Sequence, residues 1–324
     1  MPGPTVSVIL PTYSRVDSLG RAIDSVLAQT FEDFEIVVVD DGPSDAIAAF
    51  VSAHTDPRVR LVRHERNQGV SAARNTGIAA SRGDYIGFID DDDLWLPTKL
   101  ERQVPLLRDE GADVVHSLVY IADGAGNVYE ASTARGFRLF REVAAAGYPY
   151  RLLLRRSSFQ IGTFLVRREC LDAIGGFDPS LSAVDDLDLV HRLRRRYEFR
   201  LVDEPLTKYC FHETNWSHDK DPELWVRLAR KELAWLEEAD PPERDEIEAY
   251  LQMQIAQAAW IGGRYRAAVP PALRARRLDA SVISTRTVVK YVVAALAPAS
   301  RVDAARVRAR AERPATEPDP WLDV

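Results

Sequence analysis

The first 120 residues alternate between short apolar runs and amphipathic stretches. "VSVIL" (6–10), closed by Pro11, reads as a buried strand. "SLGRAIDSVLAQT" then places Leu19, Ile23, Val26 and Leu27 at helical spacing. The same alternation predicts strands at "FEIVVVDDG" (34–42), "VRLVRH" (59–64), "DYIGFID" (84–90) and "DVVHSLVYI" (113–121). Helices fall between them: "SDAIAAFVSAH" with Ser44 as N-cap, "VSAARNTGIAAS" (70–81), and "PTKLERQVPLLRDEG" (97–111), opened by Pro97 and closed by Gly111. Strands alternating with helices imply an α/β chain with a parallel sheet and right-handed crossovers.

Beyond Tyr120 the pattern loosens. "ADGAGNVYE" reads as a turn, and the stretch to Gln160 is mixed and Arg-rich. "IGTFLVRREC" (161–170) is strand-like and leads into a helix, "LDAIGG"; "GGFDPSL" (175–181) is a loop. "DDLDLVHRLRRR" (185–196) is a helix with acids in its first turn and arginines in its last, as the helix dipole favours. "EFRLVD" is a short strand, and from Pro222 helices dominate, broken at "ADPPER" and "AVPPAL". "ERPATEPDPWLDV" reads as a disordered tail, and no internal repeat is present. Three segments are expected: a ligand-binding half over 1–120, a second half over 121–218, and a helical extension over 219–324.

Composition narrows the class. Hydrophobic residues make up 46% and charged residues 28% of 324, as in a soluble globular protein. The net charge of −7 argues against a general nucleic-acid binder. Cys170 and Cys210 form no Cys-x-x-Cys pair, so a reducing cytoplasm fits better than a disulfide framework. The N-terminus lacks a basic region followed by a long apolar run, so no signal peptide is expected. "VVKYVVAALAPA" is too short to span a bilayer. From Gly262 to Pro314, twelve Arg or Lys face three acids, a bias that marks a solvated helical surface or a partner- or membrane-binding face.

In open α/β sheets, ligands sit beyond the carboxyl ends of the strands. That rule gathers Pro11 to Arg15, Asp40, Asp41 and the four acids Asp90 to Asp93 into one crevice. Carboxylates on a loop make a hard-oxygen site suited to Mg²⁺, Mn²⁺ or Ca²⁺; the alternative is an acidic surface turn. Asp41 offers an acceptor to a pyrimidine imide, or simply caps a turn. Arg74, in a helix preceded by Asn67 and Gly69, offers a fork to a phosphate, or sits on a solvated face. Asp186 is a candidate general base or a helix-capping acid, and His212 a candidate ligand or a packed imidazole.

Taken in order, "VSVILPTYSR", "FEIVVVDDGPSD", "NQGVSAARNTGIAASRGDYIGFIDDDDLWLPTKLE", "GGFDPSL" and "DDLDLVHRL" resemble the family 2 glycosyltransferases over about residues 5 to 218. The resemblance implies the GT-A fold, a Rossmann-like, mostly parallel sheet flanked by helices, and inversion at the anomeric centre. It implies that Pro11, Thr12, Tyr13 and Arg15 belong to the nucleotide-contacting loop and that Asp41 reads a uracil ring. Asn67 and Arg74 match the diphosphate region. Asp90 and Asp92 match the ends of an Asp-x-Asp motif binding Mn²⁺ or Mg²⁺, with Asp92 as the metal ligand and Asp91 near the ribose. Asp186 matches the catalytic base, and His212 a histidine near metal and diphosphate. This sequence departs from the pattern at Asp185, where Glu is frequent, and at Pro43, where Ser is frequent.

The implied donor is a nucleoside-diphosphate sugar, UDP-linked ahead of dTDP- or GDP-linked. The implied acceptor is a hydroxyl of a glycan, glycolipid or small molecule, bound by residues 120–160 and the loop around Phe177. A sugar nucleotidyltransferase would need a Gly-rich, Lys-containing loop where "LPTYSRVDSLG" stands, and a non-catalytic sugar-nucleotide binder would have no use for Asp186. A calcium loop would need the Asp-x-Asp-x-Asp-Gly spacing, which is missing. The segment after Asp219 is left with three roles: shaping the acceptor pocket, forming a homodimer, or resting on the inner face of the cell membrane.

Overall fold

The computed structural model describes residues 3–155, 160–211 and 221–297, together with residue 302. The expected tail and His212 lie outside them. The chain divides into two compact units: one holds the described residues through Pro149 and 160–211, the other Tyr150–Arg155 and 221–297.

In the first unit eight strands form one sheet. They are β1 (Val6–Thr12), β2 (Phe34–Asp40), β3 (Val59–Arg63), β4 (Tyr85–Phe88), β5 (Leu94–Trp95), β6 (Val114–Asp123), β7 (Leu165–Arg167) and β8 (Phe199–Phe211), in the order β3-β2-β1-β4-β7-β6-β8-β5. The first four are parallel, as the βα alternation predicts. The expectation of a parallel sheet stops there: β7 runs antiparallel to β4 and β6, β8 is parallel to β6, and β5 is antiparallel to β8.

All residues of β1 and β2 are buried, because helices cover both faces. Val6, Val8, Leu10, Ile36 and Val38 pack with Leu19, Ile23 and Val26 of α1 (Val16–Leu27). Val37 and Val39 face the other way, onto Ala73 of α3 (Val70–Ala80). There Gly77 lets α3 lie on β1, since a Cβ at this position would stand 2.4 Å from Ile9 Cγ2. α2 (Asp45–Ala53), whose Ser44 accepts from the Ile47 amide as expected, and α4 (Lys99–Arg108) complete this half.

The second half departs further from the sequence pattern. A helix, α5 (Glu130–Ala145), occupies part of the stretch read as irregular. Its buried face is Ser132, Thr133, Gly136, Leu139, Phe140 and Val143, so small and hydroxyl residues stand where a hydrophobic stripe would have announced it. The helix expected at "LDAIGG" begins earlier, as α7 (Arg168–Ile174), and α8 (Asp185–Arg194) lies where predicted. The strand read as "EFRLVD" runs on through Pro205, which a register shift opposite Leu118 accommodates.

The second unit is helical: α6 (Tyr150–Arg155), α9 (Pro222–Ala239), α10 (Arg244–Ile261), α11 (Tyr265–Leu278) and α12 (Thr285–Leu296). Asp240, in the left-handed region (φ 40°), ends α9 within "ADPPER" as expected. The break expected at "AVPPAL" is absent; α11 continues through Pro270 and Pro271. The lost amide donors are outweighed by the packing of Ala268, Ala272 and Ala275 with Ala256 and Ala259 of α10.

Candidate active site

The parallel strands β1, β2 and β4 end along one edge, and the predicted residues meet there. The Asp41 amide donates to the Thr12 carbonyl (2.9 Å), joining the loops after β1 and β2. The Asp41 carboxylate accepts from the amides of Gln68 (2.9 Å) and Gly69 (2.8 Å) and lies 2.7 Å from His64 Nδ1. A carboxylate only accepts, so Nδ1 carries the proton. Asp41 thus fastens the β3–α3 loop, on which Asn67 is exposed. Tyr13 is 55% exposed, and its ring stands 3.0 Å from where a Gly42 Cβ would be. It forms an aromatic shelf beside Asp41.

Four adjacent carboxylates would repel one another if left together; here each accepts a hydrogen bond, and Arg15 Nη1 also lies 3.4 Å from Asp91 Oδ1, between Asp91 and Asp92. Asp90 accepts from Arg74 Nη2 (2.7 Å), Asp91 from Thr12 Oγ1 (2.7 Å), Asp92 from Arg15 Nη1 (2.5 Å) and Asp93 from the Cys210 amide (2.9 Å). Burial, with the charge of Asp92 behind it, pushes the Asp91 carboxyl up to about 7. Burial, then the neighbouring Asp92, also holds the Asp93 carboxyl well above the usual carboxylate range. For Arg15, partial burial opposes the charge, but the fields of Asp91 and Asp92 outweigh it and raise its pKa.

Arg74 is buried in α3 and reaches two carboxylates distant in sequence. Nη2 holds Asp90, and Nη1 donates to Asp185 Oδ2 (3.0 Å), which also accepts from Ser71 Oγ (2.9 Å). Burial opposes the guanidinium charge; the fields of Asp90 and Asp185, with a further contribution from Asp186, overcome it and raise its pKa. The acidic loop and the first turn of α8 are therefore one electrostatic unit. Asp186, half-buried in that turn, accepts from the Leu187 amide (2.8 Å).

The loop before α8 is fixed from both sides. Asn75 donates to the Phe177 carbonyl (2.9 Å) and accepts from its amide (2.8 Å). Arg192, paired with Asp188 (2.7 Å), donates to the carbonyls of Ile174 (2.9 Å) and Gly176 (2.6 Å). Gly176 has φ +68°, and a Cβ there would stand 2.5 Å from Asn75 Oδ1. Phe177 is buried, its ring meeting Phe88 edge-on at 5.2 Å with the Arg74 guanidinium 5.2 Å from its centroid. The Phe177 ring is part of the packing behind the site, not a wall open to an acceptor.

Several of these contacts escape a local reading. Asn75, Ser71, Arg192 and Asp93 act on partners 16 to 117 positions away, so no window of sequence displays them. A second hidden cluster pins residues 161–163: Lys99 Nζ and Gln103 Nε2 both donate to the Thr163 carbonyl (2.8 Å each), and Trp95 Nε1 donates to that of Gly162 (3.1 Å). Lys99 is fully buried, and burial lowers its pKa well below the usual amine range.

The profile described as glycosyl transferase family 2 matches residues 7–175, more than half of the chain. The chain belongs to glycosyl transferase family 2. Among curated relatives, it is 38% identical over 146 residues to the succinoglycan biosynthesis protein ExoO of Rhizobium meliloti, covering 45% of this chain and 40% of that protein. It is 33% identical over 201 residues to WcaA of Escherichia coli, named for colanic acid biosynthesis, covering 60% of this chain and 67% of that one. The match thus spans less than half the length of the first.

Solved structures show the same GT-A fold. Residues 1–349 of S. aureus TarS in complex with UDP superpose with a TM-score of 0.66 at 18% identity, over 90% of this chain and 86% of that one. The mannosyltransferase PcManGT of Pyrobaculum calidifontis, in complex with GDP-Man and Mn²⁺, gives 0.56 at 20% identity, over 96% and 82%. In this family 2 chain, the matched region contains Asp41, Arg74 and Asp90 to Asp93.

Proposed function

We propose that the chain is an inverting glycosyltransferase that moves a sugar from a nucleoside diphosphate, UDP ahead of dTDP or GDP, to an acceptor hydroxyl. The observation that carries this reading is the Arg74 bridge, which couples Asp90 on the strand-end loop to Asp185 at the start of α8. It brings a donor-side cluster of carboxylates together with the first turn of α8, which carries Asp186. Asp186 takes the proton of the acceptor hydroxyl as that oxygen attacks the anomeric carbon. The bond to the diphosphate oxygen breaks in the same step, and the diphosphate leaves with the electron pair. Tyr13 supports the base and the Asp41 loop borders it. Residues 1–120 hold the donor and 121–218 the acceptor.

The relatives and solved structures support the donor class, since the latter bind UDP, UDP-GlcNAc and GDP-Man. The carboxylate oxygens of Asp90 and Asp92 suit a hard divalent cation. Mn²⁺ or Mg²⁺ held by Asp92 with Asp90 would supply Lewis-acid stabilisation of the departing diphosphate. Among the described residues no group of three or more His, Cys, Asp or Glu is placed to hold a metal ion by itself.

Calorimetric titration with UDP, dTDP, GDP and CDP, with and without Mn²⁺, tests the donor site on the wild type and Asp92→Asn. Cation-dependent binding of one nucleotide, weakened in Asp92→Asn, is expected. Failure of the folded protein to bind any of the four overturns the reading. Asp186→Asn should then retain nucleotide binding and lose turnover.

A further inference from the structure

α12 carries a stripe of large apolar side chains turned to solvent. Val289, Val292, Val293 and Leu296 are 54%, 36%, 60% and 83% exposed. Their spacing is that of one helical face. The opposite face is satisfied: Val288, Tyr291 and Ala294 are buried, and the Tyr291 ring stacks on Trp260 at 4.8 Å. The exposed stripe is therefore additional to what the helix needs for packing.

The rim of the stripe is cationic. Arg286 and Lys290 are exposed on α12, the Lys290 ammonium 4.6 Å above the Trp260 ring. On the other flank Arg266 of α11 donates to the Ala295 carbonyl (3.3 Å), placing the start of α11 beside the end of α12. Arg266, Leu273 and Arg277 share an exposed face of α11, where Leu273 is 51% exposed. Twelve Arg or Lys against three acids between Gly262 and Pro314 set this end apart from a chain whose net charge is −7.

We propose that this face docks on an anionic phospholipid bilayer. The apolar stripe enters the interfacial layer and the arginines and lysine meet the headgroups. Charge selects this occupant. A second copy would bring the same cationic rim against itself. Residues 298–324 carry five arginines and five acids (Asp303, Glu312, Glu317, Asp319 and Asp323), so they have no net charge to draw them to the rim, as an anionic surface has. No helix among the described residues is long and apolar enough to cross a membrane, so the contact is with the surface.

Co-sedimentation of the full chain with phosphatidylcholine vesicles, with and without phosphatidylglycerol, tests the proposal. Binding is expected only with phosphatidylglycerol, and its loss at about 1 M salt, where charges are screened beyond about 3 Å. Val293→Glu with Leu296→Glu should reduce the bound fraction about tenfold, with circular dichroism and thermal unfolding unchanged. Arg277→Glu with Arg286→Glu, altering only the rim, should do the same should the first variant fail to fold. Absence of binding to anionic vesicles overturns the proposal, as does undiminished binding of a folded variant. A concentration-dependent dimer, abolished by Val293→Glu with Leu296→Glu and unaccompanied by vesicle binding, assigns the face to a second copy and equally overturns it.

Discussion

Asn75 hydrogen-bonds both the amide and the carbonyl of Phe177, 102 residues further along the chain. One side-chain amide thus does for the loop before α8 what a neighbouring strand does for a strand: it satisfies donor and acceptor together. Asn75→Ala should lower the unfolding free energy by about 1–3 kcal/mol, as expected for two hydrogen bonds. Asn75→Asp should be worse, because it sets a carboxylate against the Phe177 carbonyl. Denaturant titration of both variants gives the order.

Arg74 should be less replaceable still. A lysine keeps the charge but not the fork that spans Asp90 and Asp185. Arg74→Ala leaves the buried Asp185 without its cation, a loss of about 3–5 kcal/mol. Arg74→Lys should fall between the two in stability and still lose turnover, since the acidic loop and α8 are no longer held in register. Urea unfolding and single-turnover transfer assays separate the two effects.

Gly77→Ala tests the contact between α3 and β1. The new methyl would overlap Ile9 Cγ2, 2.4 Å away, and overpacking of this kind costs about 1–3 kcal/mol. Ile9→Ala in the same chain should recover part of the loss, as a coupling of about 0.5–3 kcal/mol in a double-mutant cycle.

Acid should weaken the fold through two buried imidazoles. Burial pushes His116 and His191 down to about 3 each. Unfolding returns them to about 6.5, so between those values the unfolded chain binds more protons, and stability falls as pH falls, by up to about 1.4 kcal/mol per pH unit for each. His116→Gln, able to keep a hydrogen bond to the Tyr148 hydroxyl (2.9 Å in the wild type), should show a shallower loss of Tm from pH 6.5 to 4.5. The raised carboxyls Asp91 and Asp93 act in the opposite sense in both proteins and drop out of the comparison.

The first half of the sheet is legible in sequence because β1, β2 and β4 carry short Val/Ile-rich or aromatic runs that end in Pro or Asp, while β3, "VRLVR", shows its β-branched and apolar positions between two arginines. The second half is not, for identifiable reasons. α5 hides its buried face behind Ser132, Thr133 and Gly136, and Pro205 disguises the middle of a 13-residue strand. Pro270 and Pro271 suggest a break that alanine packing overrides. In the site, the sequence displays the carboxylates and Arg74 but not their pairing. That Arg15 meets Asp92, and that Asp93 turns away to the Cys210 amide, follows from tertiary geometry alone.

The antiparallel seam between β4 and β7 has a consequence for synthesis. β1 to β4 are contiguous in order of appearance, so they can pair as they emerge from the ribosome. Tyr85 on β4 is opposite Arg167, 82 residues later. At about 5–20 residues per second, the outer edge of β4 waits roughly 4–16 s for its partner. During that interval "YIGF" is an uncapped apolar edge, the template on which a nascent chain is most exposed to pairing with another. The acidic residues that follow it, Asp90 to Asp93, put negative charge beside that edge while it waits, so the loop that builds the crevice also guards the unfinished sheet.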